Sequence, residues 1–169
     1  ARATCTDECE HYLDCYDNNM PFAHRFKANQ ALIDKMAIEL DKLDKKHPLG
    51  YVVRLHILGD FYSVNYVKWW KKQLQTRPNL KIYGYSRNHV TSKYAKVRSI
   101  AKEIVKVREQ FSDRFKIRFS NLPSDTLSAN SEHVSTQGFT CPQQTGKTAS
   151  CGTCGLCWTS NKPVIFLDH

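Results

Sequence analysis

Short apolar runs alternate with amphipathic stretches through the middle of this 169-residue chain, and that alternation leaves few folds open to it. Residues 51–58 are rich in β-branched and apolar side chains (Tyr51, Val52, Val53, Leu55, Ile57, Leu58) and read as a buried central strand. Residues 80–86 and 115–119 read as two more, the latter alternating Phe115, Ile117 and Phe119 with Lys116 and Arg118. Helical patterns lie before and between them. Leu32, Met36, Leu40 and Leu43 recur at helical spacing over residues 28–46, and His47, Pro48, Leu49 and Gly50 stop that run. Val67, Trp70 and Leu74 mark a second helix, capped by Ser63 and ending near Arg77 and Pro78. Val97, Ile100, Ile104, Val107 and Phe111 mark a third, with Ser92 as its cap. Residues 121–140 are polar, turn-rich and irregular, and residues 163–167 form a last short strand.

A β-α-β-α-β succession calls for parallel strands joined by helical crossovers. There are too few units for a closed eight-fold barrel. The expected class is therefore α/β, an open, mainly parallel sheet or partial barrel with flanking helices and a C-terminal cysteine-rich loop. The length suits a single domain over residues 1–169: a cysteine-containing N-terminal segment (1–27), a β/α core (28–120), and a cluster loop with the final strand (121–169).

Seven cysteines sit at the two ends of the chain. Cys141 is followed by Pro142, and Cys151, Cys154 and Cys157 follow at two-residue gaps with Gly152 and Gly155 between them and Trp158 after. Three closely spaced thiolates can wrap three corners of a cubane, and a remote cysteine beside proline completes the fourth, so this spacing suits a [4Fe-4S] cluster. Trp158 would shield such a centre from solvent. Zinc is the alternative, although structural zinc usually takes two separated knuckles and here they overlap at Cys154. Disulfides are the third reading. An odd cysteine count and the lack of a charged-then-apolar leader argue instead for a reducing, cytoplasmic setting. The second group, Cys5, Cys9 and Cys15, has gaps of three and five residues. It could hold a second cluster, lend a ligand to the first, or be three plain thiols.

Functional groups in parallel sheets gather past the carboxyl ends of the strands. Asp60 and Tyr62, Arg87 and Asn88, and Asn121 and Asp125 fall at such places. Asp60 and Arg87 are candidate cofactor-binding residues facing the cluster loop across one pocket, with Arg87 offering a cation to the anionic cluster. Arg54 and His56 are expected to point together onto one strand face. The formal charge of +9 is concentrated in residues 93–118, where Lys93, Lys96, Arg98, Lys102, Lys106, Arg108, Arg114, Lys116 and Arg118 face only Glu103, Glu109 and Asp113. That makes nucleic acid a candidate partner alongside a solvated-face reading. No apolar stretch is long enough to span a membrane. Thr145, Gly146, Lys147 and Thr148 imitate the end of a P-loop, but Cys141 stands where its first glycine is needed.

Several of these elements together resemble a known family. Leu58, Gly59, Asp60, Phe61, Tyr62 and Ser63, followed by Tyr66 and Trp69, then Tyr83, Gly84, Tyr85, Ser86 and Arg87, then the C-terminal cysteines with Pro142 and Trp158, resemble the bacteriophage "gene product eighty-eight" family. Cys5, Cys9, Cys15 and Tyr16 resemble its cysteine-rich opening with less regular gaps. The resemblance implies a phage-encoded, iron–sulfur-binding protein made in the host bacterial cytoplasm. The expected function is a fully ligated [4Fe-4S] protein that passes electrons to a redox partner or host protein. The alternatives are an enzyme with an open cluster iron, similar to a reduced radical S-adenosylmethionine barrel, and a nucleic-acid-binding module with a structural cluster or zinc.

Overall fold

The computed structural model describes residues 3–13, 15, 20 and 22–167. Its sheet runs β1 (Tyr51–Leu55), β2 (Leu80–Ser86), β3 (Phe115–Ser120), β4 (Ser128–Ser131), β5 (Phe139–Thr140) and β6 (Val164–Phe166), in the spatial order β1-β2-β3-β4-β6-β5. Every pairing is parallel, and the sheet is open. The expected α/β class is the observed one. Three long helices, α1 (Gln30–Lys46), α2 (Val64–Thr76) and α3 (Ala95–Gln110), accompany the strands, and two single turns, α4 (Cys151–Cys154) and α5 (Leu156–Thr159), carry three of the cysteines.

Local chemistry sets the helix ends. Asn29 and Ser63 cap α1 and α2 by accepting the backbone N–H groups of Leu32 and Tyr66, both at 3.1 Å. Ser92, expected to cap α3, lies too early. The helix enters through Tyr94 without a side-chain cap, while Ser92 Oγ accepts the Tyr94 N–H at 3.0 Å and donates to the Glu8 carboxylate. That serine builds a turn before the helix and ties it to the N-terminal segment. Arg114 caps the far end of α2, donating to the carbonyls of Leu74 at 3.0 Å and Arg77 at 2.9 Å.

All three long helices pack on one face of the sheet. Leu40 of α1, Val67, Trp70 and Leu74 of α2, and Ile100, Ile104 and Val107 of α3 join Leu55, Ile82, Phe115, Ile117 and Phe119 in one buried cluster. Because side chains alternate along a strand, Tyr83, Tyr85, Lys116 and Arg118 must face the other way. Gly84 sits between the tyrosines because a Cβ there would come within 2.9 Å of the Leu55 carbonyl oxygen.

Three expectations about strands need correction. The run read as a central strand over residues 51–58 ends at Leu55 and forms the sheet edge; only its Tyr51, Val53 and Leu55 side packs on the core. His56 adopts a left-handed conformation (φ 54°), which breaks the strand, and Arg54 is exposed beside Tyr85, so the two do not share a face. Residues 121–140 are not irregular throughout, since β4 lies there with Ser128 and Asn130 fully buried. Its sequence, Ser128, Ala129, Asn130, Ser131, has no strand propensity; pairing to β3 and β6 holds it.

Truncating Ile104, which is fully buried, to alanine should cost about 2–5 kcal/mol of stability. Ile38→Ala, at a residue 55% exposed on α1, should change stability by less than about 0.5 kcal/mol. Urea denaturation of both variants reads this, and equal losses would contradict the described core.

Candidate functional site

The sheet face opposite the long helices is floored by Tyr83 and Tyr85 of β2 and by Lys116 and Arg118 of β3. The C-terminal cysteine segment lies over it. Trp158 of α5 packs on Tyr83 with ring centroids 5.0 Å apart, and the Tyr85 hydroxyl donates to Cys157 Sγ at 3.1 Å. Gly155, in a left-handed conformation (φ 70°), makes the sharp joint between α4 and α5, and a Cβ placed there would meet the Trp158 ring at 3.5 Å. Ser150 and Thr153 hold α4 through a reciprocal capping box. Cys141 is buried just beyond β5, its N–H donating to the Ile165 carbonyl at 2.8 Å.

These contacts bring Cys141, Cys151 and Cys157 into one electrostatic neighbourhood. Burial raises the Cys157 thiol above its ordinary pKa; the Tyr85 hydrogen bond and Arg118 pull it back, and Cys141 and Cys151 push it further up. Beneath them Arg118 is fully buried and Lys116 nearly so. Arg118 donates to the carbonyls of Ser160 and Lys162, both at 2.7 Å, and of Ser128 at 3.3 Å, while its Nε is buried with no hydrogen-bond partner. Lys116 Nζ donates to Asn161 Oδ1. Among the described residues neither cation is ion-paired with a carboxylate. A guanidinium does not deprotonate in a protein, so this floor carries a buried positive charge that favours anions above it.

Soft thiol donors over a cationic floor suit a thiolate-ligated metal centre in charge and chemistry. Sulfur spacing is a separate matter. Among the described residues, no three His, Cys, Asp or Glu side chains stand together closely enough to hold a metal ion.

Asp60 and Arg87 do not face this group. They stand at the carboxyl ends of β1 and β2 and meet the N-terminal segment instead. Asp60 is buried and accepts from Ser86 Oγ at 2.8 Å and from the N–H groups of Arg87 at 2.7 Å and Phe61 at 2.6 Å, and its own N–H donates to Thr4 at 3.2 Å. Arg87 pairs with Glu10 at 3.1 Å and lies against the His89 ring. Glu10 also accepts from Asn121 at 2.7 Å, Glu8 accepts from the Lys93 N–H at 3.1 Å, and Asp7 from Tyr94 at 2.8 Å. Cys5 and Cys9 therefore lie over the strand ends, where Cys5, Thr4, Tyr12, Tyr62, Asn88 and Tyr94 help to line a pocket of about 440 Å³. Sequence gaps alone carried no sign of this convergence. Tyr16 lies outside the described residues.

The remaining candidates are structural. Asp125 forms a two-pronged ion pair with Arg108 at 2.7 and 2.8 Å and caps the turn to Leu127. With Arg98, Arg114, Lys116 and Arg118 also turned to carbonyls or buried, five of the nine basic residues expected to grip phosphates are engaged by the protein itself. Lys93, Lys96, Lys102 and Lys106 remain exposed. No helix among the described residues is long and apolar enough to cross a membrane.

Fold and site together define a parallel α/β protein whose sheet face away from the three long helices is covered by a cysteine segment. The chain belongs to the Gene product 88 family, whose model matches residues 11–160. That match takes in Cys15 and all four C-terminal cysteines and begins after Cys9. No curated protein and no solved structure matches the chain.

Two buried groups beside the strand-end pocket titrate in opposite senses. Burial raises Asp60 from 3.8 to about 6 and lowers His56 from 6.5 to about 4. Asp60 favours the native state at low pH and its contribution fades as pH rises from 3.8 through about 6; His56 favours it above 6.5 and its contribution fades as pH falls toward about 4. Each is at most on the order of 3 kcal/mol. We expect the two to offset in the parent. Asp60→Asn should lose stability as pH falls from 6.5 to 4, and His56→Asn, which tolerates the left-handed backbone, should gain it. Denaturation midpoints across that range check the signs; parallel slopes in the two variants would refute the assignment.

Proposed function

We propose that this chain is a phage-encoded iron–sulfur protein of the host bacterial cytoplasm, with one [4Fe-4S] cluster held by Cys141, Cys151, Cys154 and Cys157 and a redox role served through a partner protein. The observation that carries the reading is the pair of buried cations, Arg118 and Lys116, with no ion-paired carboxylate among the described residues, directly under the segment that bears those cysteines. A cubane ligated by four thiolates is anionic, and a buried guanidinium with an unpartnered Nε suits it. When bound, such a cluster supplies one-electron transfer.

The protein's own residues have distinct parts in this reading. Tyr85 donates a hydrogen bond to the Cys157 sulfur, which tunes a bound centre by withdrawing charge from its ligand. Trp158, stacked on Tyr83, anchors α5 and excludes water from one side. Closing the sulfurs to ligand distance is left to the single-turn helix α4, which is largely exposed and has no core residue to hold it back. A fully ligated centre is favoured over one with an open iron because the strand-end pocket has no lining residue from 141–158.

Anaerobic purification with iron and sulfide analysis tests the proposal. About four irons per chain, lost on Cys→Ala change at any one of the four positions, is the expected result. Zinc without iron would overturn the redox reading. Arg118→Lys should keep the cluster, whereas Arg118→Met should lower its reduction potential by tens of millivolts, about 59 mV for each tenfold in the reduction equilibrium, because removing the cation disfavours the added electron.

A further inference from the structure

We infer that the sheet face around Trp158 is a docking surface for a protein partner with an acidic face, held by Arg54, Lys81 and Lys162. Strand register places the first two. Arg54 of β1 pairs with Tyr83 of β2, and Tyr83 with Lys116 of β3, so the ring on which Trp158 packs lies between two cations. Two residues earlier on the same face, Val52 pairs with Lys81. Lys162 reaches this rim from the other side: its carbonyl accepts from Arg118 at 2.7 Å, and its neighbour Asn161 accepts from Lys116.

Two observations carry the surface. The first is the lack of negative charge. Strands β1, β2 and β3 contain no Asp or Glu, and neither does the chain from His133 to Leu167, which includes the cysteine segment over them. Arg54, Lys81 and Lys162 are exposed, and among the described residues none of the three is ion-paired. Their charge is open to a partner, whereas Arg118 and Lys116 are buried and turned to the protein's own oxygens. The second is the apolar centre that these exposed cations surround. Val52 is 37% exposed, and Leu156 and Trp158 are partly so. An apolar centre inside a charged rim is the usual build of a protein–protein interface.

Charge complementarity selects the partner, because carboxylates on its surface are steered to this face and held at its rim. A nucleic acid suits the face less well. Phosphate backbones are gripped by many closely set cations, and the exposed lysines that recur one helical turn apart, Lys68 and Lys72 on α2 and Lys102 and Lys106 on α3, lie on the other side of the sheet. The purpose of the docking surface rests on the iron–sulfur reading. Trp158 directly follows Cys157, so a protein docked around it stands beside a bound cluster. The charge pattern itself is independent of that reading.

The test measures binding of the whole, anaerobically purified protein to two probes, an acidic plant-type ferredoxin and a single-stranded oligonucleotide, by biolayer interferometry at low and at physiological salt. The expected result is ferredoxin binding that weakens as salt is added and falls on the order of tenfold when Arg54→Glu and Lys81→Glu are combined. Lys102→Glu with Lys106→Glu, on the other side of the sheet, should leave it within about twofold. Circular dichroism confirms that each variant is folded; where the first pair is not, Lys162→Glu, which lies outside the strands, replaces it. Iron content on the same samples separates this inference from the cluster. An iron-free chain that binds ferredoxin through Arg54 and Lys81 upholds the surface and removes only the cluster, whereas a chain that fails to bind it at low salt, with or without iron, overturns the surface. Equal losses in the two sets of variants, or an oligonucleotide that binds more tightly than ferredoxin and depends on Arg54, would overturn it as well.

Discussion

A parallel sheet must have both faces covered, and here the long helices cover only one. With strands β1 to β4 laid side by side in chain order, the crossover helices α2 and α3 return on the same side over Ile82, Ile117 and Phe119, and α1, which leads into β1, joins their cluster through Leu40. The opposite face then falls to whatever chain remains, which is the segment after β4. Much of the site follows from this. Trp158 and Cys157 meet Tyr83 and Tyr85 because the C-terminal segment has to cover that face, and Cys141, Ala129 and Val164 form its small apolar patch.

The same constraint explains the charges. A covered sheet face would ordinarily be apolar, yet this one carries Lys116 and Arg118. Apart from one bond to the Ser128 carbonyl of β4, their hydrogen bonds go to the carbonyls of Ser160 and Lys162 and to Asn161, all in the chain that leads out of the cysteine helices. Thus the cations hold the cysteine segment down, Arg118 through its backbone and Lys116 through the Asn161 side chain, while keeping their charge. Apolar residues in their place would fill the space but would take from those oxygens the donors they now have. An anionic centre above them would add countercharge to that of Asp113 and Asp125, which act on them without ion-pairing.

What could be read from the sequence was whatever rests on local periodicity. β2 is found at its expected residues, and Val67, Trp70 and Leu74, like Val97, Ile100, Ile104 and Val107, are the buried faces of α2 and α3. What could not be read rests on tertiary partners. β4 is a strand because β3 and β6 flank it, not because Ser128 and Asn130 favour one. The alternation of β3 was legible, but not the fact that Lys116 and Arg118 point into covered space, since that depends on a segment some forty residues later. For the same reason Asp60 and Arg87 were read toward the wrong cysteines. The strand-end position was right, but the partner at those ends is the chain's beginning.

Backbone strain marks the strand ends as a distinct part of the molecule. The two non-glycine residues with positive φ among the described residues are His56 (54°) and Asn121 (51°), each immediately after a strand. Left-handed backbone costs such residues roughly 1–2 kcal/mol, so their surroundings must hold them there. Asn121 is held on both sides, accepting the Ser131 N–H at 2.8 Å and donating to Glu10 at 2.7 Å; the His56 ring is wedged edge-on against Phe61, its Nε2 3.3 Å from the Tyr66 hydroxyl. Both turns swing the following chain across the end of the sheet, and one of them uses Glu10 as a brace. The N-terminal segment is thereby attached through polar contacts to strained turns, whereas the C-terminal segment is attached through aromatic rings and buried cations to the sheet face. Attachments of such different kinds tie the two thiol groups to separate parts of the sheet, so a change in one group's contacts is expected to leave the other's in place.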